Sequence, residues 1–177
     1  MDMFCYQCEQ TSQGKGCDKA GVCGKSPDCA ALQDLLIHAS KGIAQYAWRT
    51  SQLGTQDEQV DHFVTEALFT TVTNVNFDVQ RMEELLKQAN HTLHHARDNY
   101  LEAAKKADKQ PETLTGPAQW EPAGSLAELI RQGRETGIDK RKQEKGDDIT
   151  GLQELIAYGL KGTAAYAEHA WILGKFD

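Results

Sequence analysis

The sequence predicts an all-α protein with a bundle-like architecture. Apolar residues recur at helical spacing through most of the chain after Pro27, and no stretch alternates apolar and polar residues long enough to predict a β-sheet. A third observation is an internal repeat, in which LQDLLIHASKGIAQYAWRTSQLG at 32–54 matches LQELIAYGLKGTAAYAEHAWILG at 152–174. A glycine inside a helix costs about 1 kcal/mol relative to alanine. The shared Gly42 and Gly162 therefore predict two similar helices in similar packing positions, each closely approached by a neighbour.

The first two helices are expected to follow a loop over residues 1–28, where glycines alternate with cysteines and no helical period is sustained. Asp28 is expected to cap the first helix, over residues 29–53, and Gly54 to end it. Helical spacing of apolar residues predicts the second helix over residues 58–73.

A long third helix is predicted over residues 79–107, a stretch rich in strong helix formers, with Asp78 as its N-cap. Prolines and glycines then predict a hinge or loop over residues 108–124.

The C-terminal third is expected to hold a short helix and a long one. Ser125 and Glu128 match a capping box, which predicts a helix as far as Thr136. A polar stretch over residues 137–148 leads into the last predicted helix, 149–173. The resulting division is a loop (1–28), a first helical bundle portion (29–107), a hinge (108–124) and a second helical portion (125–177).

Composition limits the partners and the compartment. The 177 residues carry a formal net charge of −7, so phosphate backbones and anionic lipid should repel the chain as a whole. The opening MDMFCYQCEQ lacks the basic and apolar regions of a signal peptide, and no window approaches the roughly 18 apolar residues of a membrane span. We therefore expect a cytoplasmic protein with neither nucleic acid nor a membrane as partner, and a homo-oligomer is compatible with this composition.

All five cysteines fall between positions 5 and 29. Cys5, Cys8, Cys17 and Cys23 have the spacing C-x2-C-x8-C-x5-C, which allows four thiolates to converge on one metal centre. Thiolate is the soft ligand preferred both by iron-sulfur clusters and by zinc. Structural zinc sites commonly pair two short C-x2-4-C units and this loop has one, so the spacing favours iron-sulfur. The alternatives are a zinc-stabilised helical interaction module without redox activity, and disulfides, which a reducing compartment disfavours.

Several long strings resemble the first domain of the hybrid-cluster proteins, also called prismane proteins or hydroxylamine reductases. They are MFCYQCEQT, the cysteine series with VCGK, LQDLLIHASKGIAQYA, FTTVTNVNFD at 69–78 and LKGTAAYAEHAWILG at 160–174. The resemblance therefore covers essentially the whole chain.

The resemblance implies that Cys5, Cys8, Cys17 and Cys23 hold a 4Fe-4S cluster in a domain of two small helical bundles. Such a domain relays electrons from a soluble donor to a hybrid iron-sulfur-oxygen cluster in the remaining catalytic domains. A subclass with wider spacing of the last cysteines carries a 2Fe-2S cluster, but the gaps here resemble the 4Fe-4S subclass. In that family the hybrid cluster takes its ligands from later domains, and no cysteine follows Cys29 here. We therefore expect no catalytic residue in this chain and no activity from it alone.

Other candidates have simpler interpretations. Cys29 has no counterpart in the family motif and is expected to be a small buried thiol. His91, His94 and His95 share one helix face, which we interpret as solvated rather than metal-binding.

Long cationic and aromatic side chains on the predicted helices also have ordinary roles. Lys41 and Lys161 are expected on solvated helix faces, although their recurrence in the repeat favours a shared structural role. The residues expected in the core are Tyr46, Trp48, Tyr166, His169 and Trp171. The residues expected to shield the predicted ligands from water are Phe4, Tyr6 and Val22.

Overall fold

The structure, a computed structural model, describes residues 3–73 and 75–175 and confirms the all-α prediction. Its helices are α1 (Pro27–Gln52), α2 (Glu58–Thr70), α3 (Val79–Lys106), α4 (Leu126–Thr136), α5 (Ile138–Lys145) and α6 (Asp147–Ile172). Short 3-10 helices occupy Ser12–Gly14 and Gly116–Gln119. Within the described residues there is no β-strand, and no helix is long and apolar enough to cross a membrane.

The central element is α1, which contacts α2, α3, α4 and the 3-10 helix at Gly116–Gln119. Its Leu32, Leu35 and Leu36 are fully buried. Met82 and Leu86 of α3 lie in the same apolar core and are equally buried. The helical period read from the sequence therefore identified this core, because burial of one apolar stripe per helix is what produces that period.

The caps of the helices agree with the sequence at α3 and differ at α1. Asp78 caps α3 as predicted, since its carboxylate accepts hydrogen bonds from the amides of Gln80 (2.8 Å) and Arg81 (3.3 Å). The prediction for Asp28 was wrong, because Ser26 is the N-cap of α1 and its Oγ accepts from the Cys29 amide at 3.1 Å. Pro27 provides the fixed φ angle that suits the first helical position, so the helix begins earlier than predicted.

The start of α4 corrects the capping-box prediction. Ser125 donates a hydrogen bond to the Glu128 carboxylate at 2.9 Å, and no side chain caps the amides of the first turn. The charge-assisted bond to the carboxylate orients the Ser125 hydroxyl toward Glu128. The polar stretch predicted as a linker over residues 137–148 is also corrected, since most of it forms α5 and the first residues of α6.

The two copies of the repeat do not share an environment, contrary to the prediction. Leu35 of α1 is fully buried, whereas its counterpart Leu155 of α6 is 67% exposed. A Cβ atom on Gly42 would collide with the Pro117 carbonyl, whereas one on Gly162 would meet no atom within 4 Å. Close approach is thus confirmed for the first glycine alone, because the described chain provides α6 with no neighbour on that side.

The buried side of α6 is its more polar side. It faces α2 and α5, and the His62 ring of α2 stacks on Trp171 with centroids 4.1 Å apart. Most of the buried or half-buried residues of α6 recur every three or four positions: Thr150, Glu154, Ala157, Lys161, Ala164, Glu168 and Trp171. Of the residues predicted in the core, Tyr46 is buried and Trp171 half-buried, whereas the predictions for Trp48, Tyr166 and His169 were wrong because these side chains are exposed.

Candidate metal centre

The N-terminal loop brings two of the predicted ligands together through the backbone. Cys5 and Cys17 form an antiparallel bridge, with N–H···O distances of 3.0 Å and 2.8 Å. The Cys8 carbonyl accepts from Thr11 in the following turn, at 3.1 Å. Cys23 lies in a second turn, closed by the Gly24 amide on Gly21 at 2.9 Å. The loop therefore fixes the backbone at Cys5 and Cys17 and presents Cys8 and Cys23 on turns.

The donor chemistry of this loop suits a thiolate-bound centre, but its ligands are not gathered. The five cysteines are free thiols. Within residues 3–73 and 75–175, no group of three or more Cys, His, Asp and Glu side chains is arranged to hold a metal ion. Such loops commonly close only when the metal binds, since binding and folding are coupled at thiolate sites. Cys5, Cys8, Cys17 and Cys23 therefore remain predicted ligands.

A buried lysine lies directly behind the loop. Lys25 is 1% exposed, and its Nζ lies 4.0 Å from the Cys5 sulfur. The same ammonium donates to Gln33 Oε1 at 2.7 Å and lies 5.6 Å from the centre of the Phe77 ring. No carboxylate of the described residues forms a salt bridge with it. The burial of Lys25 was not predicted from the sequence, because cationic side chains are expected at the surface.

Cys29 is the small buried thiol that the sequence predicted. It is fully buried at the start of α1, and its sulfur lies 3.8 Å from the Asn76 carbonyl oxygen. Burial raises the pKa of this thiol, so its protonated form is favoured. A thiol held in its neutral form is a poor metal ligand and a poor nucleophile.

Tyr6 ties the loop to the last two helices. Its hydroxyl donates to Glu154 Oε2 of α6 at 2.8 Å, and the same carboxylate pairs with Arg141 of α5 at 2.6 Å. Burial, reinforced by the Glu154 carboxylate, raises the pKa of the Tyr6 hydroxyl, which keeps it a donor. The chain between Cys5 and Cys8 is thereby held against α6. Tyr6, which was expected to shield the predicted ligands from water, is half-buried at this contact.

A groove of about 850 Å³ opens beside this contact, between α1 on one side and α5 and α6 on the other. Burial raises the pKa of Asp34 on α1 to about 6, although the charges of Lys161 and Arg141 act against this rise. Burial also lowers the pKa of Lys161 to about 8 and that of His38 to about 4. These ionisable groups line a partly dehydrated surface that reaches Cys5.

The structure corrects two other expectations about side chains near the site. Lys161 is 8% exposed, so its predicted solvated position was wrong. Val22, expected to exclude water, is 61% exposed. The exposure of both residues depends on how distant parts of the chain pack. Residue spacing along one helix or loop does not contain that information.

The surface interpretation of the α3 histidines agrees with the structure. His94 pairs with Glu121 at 3.1 Å and His95 with Asp57 at 2.8 Å, so their rings serve separate surface contacts. His91 is exposed on the same helix.

Comparison with known proteins decides the family. The model of the prismane/CO dehydrogenase family matches residues 3–177. The chain belongs to this family. Three bacterial relatives are each named hydroxylamine reductase: that of Rhodospirillum rubrum is 52% identical over 175 residues, that of Geobacter metallireducens 46% over 179 and that of Acidithiobacillus ferrooxidans 47% over 176.

The relatives of this prismane-family chain are longer proteins. The alignments cover 99%, 100% and 97% of this chain in the same order, but only 32% of each relative. The family resemblance seen in the sequence is confirmed, and the matched length corresponds to about a third of a hydroxylamine reductase.

Proposed function

We propose that this chain is the iron-sulfur electron-transfer domain of a hydroxylamine reductase-type, hybrid-cluster protein. Cys5, Cys8, Cys17 and Cys23 hold a 4Fe-4S cluster, and the domain relays electrons from a soluble donor to a catalytic hybrid cluster in further polypeptide. The observation that carries this proposal is the set of four free cysteines on one loop, of which Cys5 lies 4.0 Å from the buried ammonium of Lys25. A buried cation needs an anionic neighbour, and four thiolates around a cluster supply a net negative charge.

The chain's own residues have supporting roles in this proposal. When bound, a 4Fe-4S cluster accepts and releases single electrons. The Cys5–Cys17 bridge fixes the spacing of two ligands. The phenol of Tyr6 holds the first part of the loop against α6 through Glu154. Partly buried side chains at Phe4 and Tyr6 reduce the access of water, which influences the reduction potential.

The further polypeptide is proposed to dock on the exposed apolar face of α6. This face carries large apolar residues, each more than half exposed: Leu152, Leu155, Ile156, Leu160 and Tyr166. In the first copy of the repeat, α3 covers the corresponding face of α1. An exposed apolar face of this extent marks an interaction site. We assign it to a helix from the two thirds of polypeptide that the relatives have and this chain does not match.

The reduction of hydroxylamine belongs, in this proposal, to that further polypeptide. The sequence has no cysteine after Cys29 from which a second cluster could take thiolate ligands. We therefore expect the chain alone to take up electrons without turning over hydroxylamine.

The test is anaerobic reconstitution of the purified chain, followed by iron, sulfide and zinc analysis and electron paramagnetic resonance. We expect about four iron and four sulfide per chain and a resonance signal that appears on reduction. Serine at Cys5, Cys8, Cys17 or Cys23 should lower iron uptake, whereas Cys29→Ala serves as the matched control and should retain it. Two irons per chain would identify a 2Fe-2S cluster. Stoichiometric zinc without iron or sulfide would overturn the proposal in favour of a zinc-stabilised module.

A further inference from the structure

We infer that the positive charge of Lys25 raises the reduction potential of the centre proposed at the cysteine loop. Gln33 is a positioning residue that holds the Lys25 ammonium toward this loop. The inference rests on the proposed function, because it assigns a role toward the metal centre to two side chains outside the ligand set. Neither residue belongs to the cysteine motif.

The side chain of Lys25 is held in one direction by three contacts. Its ammonium donates to Gln33 Oε1 at 2.7 Å, lies over the Phe77 ring at 5.6 Å and reaches the Cys5 sulfur at 4.0 Å. Gln33 is itself fixed, since its Nε2 donates to the Asn76 carbonyl at 2.9 Å. That bond determines which end of the Gln33 amide faces Lys25, and it leaves the oxygen toward the ammonium.

The charge of Lys25 has no carboxylate to neutralise it among the described residues. Asp34 acts on Lys25 only at longer range, since no salt bridge joins them. Asp78 uses its carboxylate to cap α3, where it accepts from two backbone amides. An unpaired cation is disfavoured in the interior unless an anion lies nearby. The Cys5 sulfur can become anionic as a thiolate and lies 4.0 Å from the ammonium, so the positive charge lies beside a predicted ligand.

A fixed positive charge favours whichever oxidation state carries more negative charge. Reduction adds one electron to the centre and therefore strengthens its attraction to Lys25, and this attraction is little screened because the ammonium is 1% exposed. Hydrogen bonds to cluster sulfurs act in the same direction. Removing the charge should therefore make reduction less favourable.

Lys19 provides a matched control. It lies in the same loop, between Cys17 and Cys23, but its side chain is exposed. Solvent screens exposed charges, so removing this lysine changes net charge by the same amount with little effect on the centre. The comparison separates a directed buried charge from the overall charge of the loop.

The experiment is a potentiometric titration of the reconstituted chain, followed by electron paramagnetic resonance. Lys25→Met should lower the equilibrium constant for reduction at least tenfold, which is 59 mV for one electron. Lys25→Arg should restore most of the potential, and Lys19→Met should leave it unchanged. Gln33→Glu places a carboxylate against the ammonium and should also lower the potential, which provides a second test if Lys25→Met does not fold.

The outcomes distinguish this inference from the proposed function. A wild-type chain that takes up no iron or sulfide overturns both. A loaded chain whose potential is the same in wild type, Lys25→Met and Gln33→Glu overturns the role of Lys25 alone and leaves the electron-transfer domain standing. Lower thermal stability with an unchanged potential would likewise show that Lys25 is merely structural.

Discussion

Asp34 is a carboxyl group of the groove whose ionisation changes on folding. Burial raises the pKa of its carboxyl from 3.8 to about 6, although the positive charges of Lys161 and Arg141 act to lower this pKa. Between pH 4 and pH 6 the folded chain therefore holds a proton at Asp34 that the unfolded chain has released. Because the folded state binds more protons in this window, the free energy of unfolding falls as pH rises through it. The loss is complete about one pH unit above the pKa of the folded chain and is constant from there on.

We predict that Asp34→Asn removes this pH-dependent loss. Measured by denaturant unfolding, the stability of the variant relative to wild type should rise between pH 4 and pH 7 by up to about 3 kcal/mol. The comparison uses the difference between the two proteins, because His38, whose pKa burial lowers to about 4, changes stability in the opposite direction over the same range. A difference that stays constant with pH would show that Asp34 is as well hydrated in the folded chain as in the unfolded chain.

Residue-scale errors of the sequence analysis share one cause. Lys161 has the spacing of a solvated lysine but is buried beside the groove. Lys25 follows the last predicted ligand closely and is buried against Gln33 and Cys5. Sequence spacing describes neighbours on one helix or loop, whereas the surroundings of both lysines come from residues far along the chain.

At the scale of the helices, the repeat places Gly42 and Gly162 at equivalent positions. Comparing these two glycines distinguishes the effect of close packing on stability from the effect of helix propensity. A Cβ atom at Gly42 would collide with the Pro117 carbonyl, and both groups belong to the backbone of packed elements. Gly162 occupies the equivalent position of α6 with no atom within 4 Å of a Cβ. The two positions share a sequence context and differ in their neighbours.

We predict opposite effects of alanine at these two positions. Gly42→Ala should destabilise the chain by about 1–3 kcal/mol, because backbone must move to admit the methyl group. Gly162→Ala should stabilise it by about 0.5–1 kcal/mol, since alanine is the better helix former and no atom obstructs it. Urea unfolding of each variant measures both values. A loss of stability at Gly162→Ala in the isolated chain would contradict the open environment of α6.

Helical elements were predicted well because their signals are local. The third helix was expected over residues 79–107 and spans Val79–Lys106, with the predicted Asp78 cap. The errors in capping arise where two groups compete, as at Ser26 and Asp28, because periodicity does not rank caps. The exposure of α6 could not be predicted, since a helix with apolar residues on its broad face is expected to bury that face.

At the scale of the whole molecule, the cysteine spacing predicts the candidate site, and the fold holds its four positions in different ways. The backbone bridge joins Cys5 to Cys17, whereas Cys8 and Cys23 lie on turns. The four positions are close along the chain, so their spacing alone indicated a shared site. The contacts that surround the loop, through Lys25 and Tyr6, come from α1 and α6 and depend on how the helices pack.

Docking of further polypeptide on α6 predicts different roles for Leu155 in short and long chains. In the chain of 177 residues, Leu155 is 67% exposed, so Leu155→Ala should change stability by no more than about 0.5 kcal/mol. In a polypeptide extended to the length of the relatives, the same change should cost about 2–5 kcal/mol, because a covering helix would bury the side chain. Leu35→Ala, at the buried counterpart, should cost about 2–5 kcal/mol in both.

Native-state hydrogen exchange of the α6 and α1 peptides measures these costs locally, which avoids treating a long chain as a single two-state unit. Leu35→Ala is the positive control, because it shows whether hydrogen exchange detects the stability lost on shortening a buried side chain in each polypeptide. If the small effect of Leu155→Ala persisted in the extended polypeptide, the exposed face of α6 would stay open there, and the proposal that further polypeptide docks on this face would be wrong.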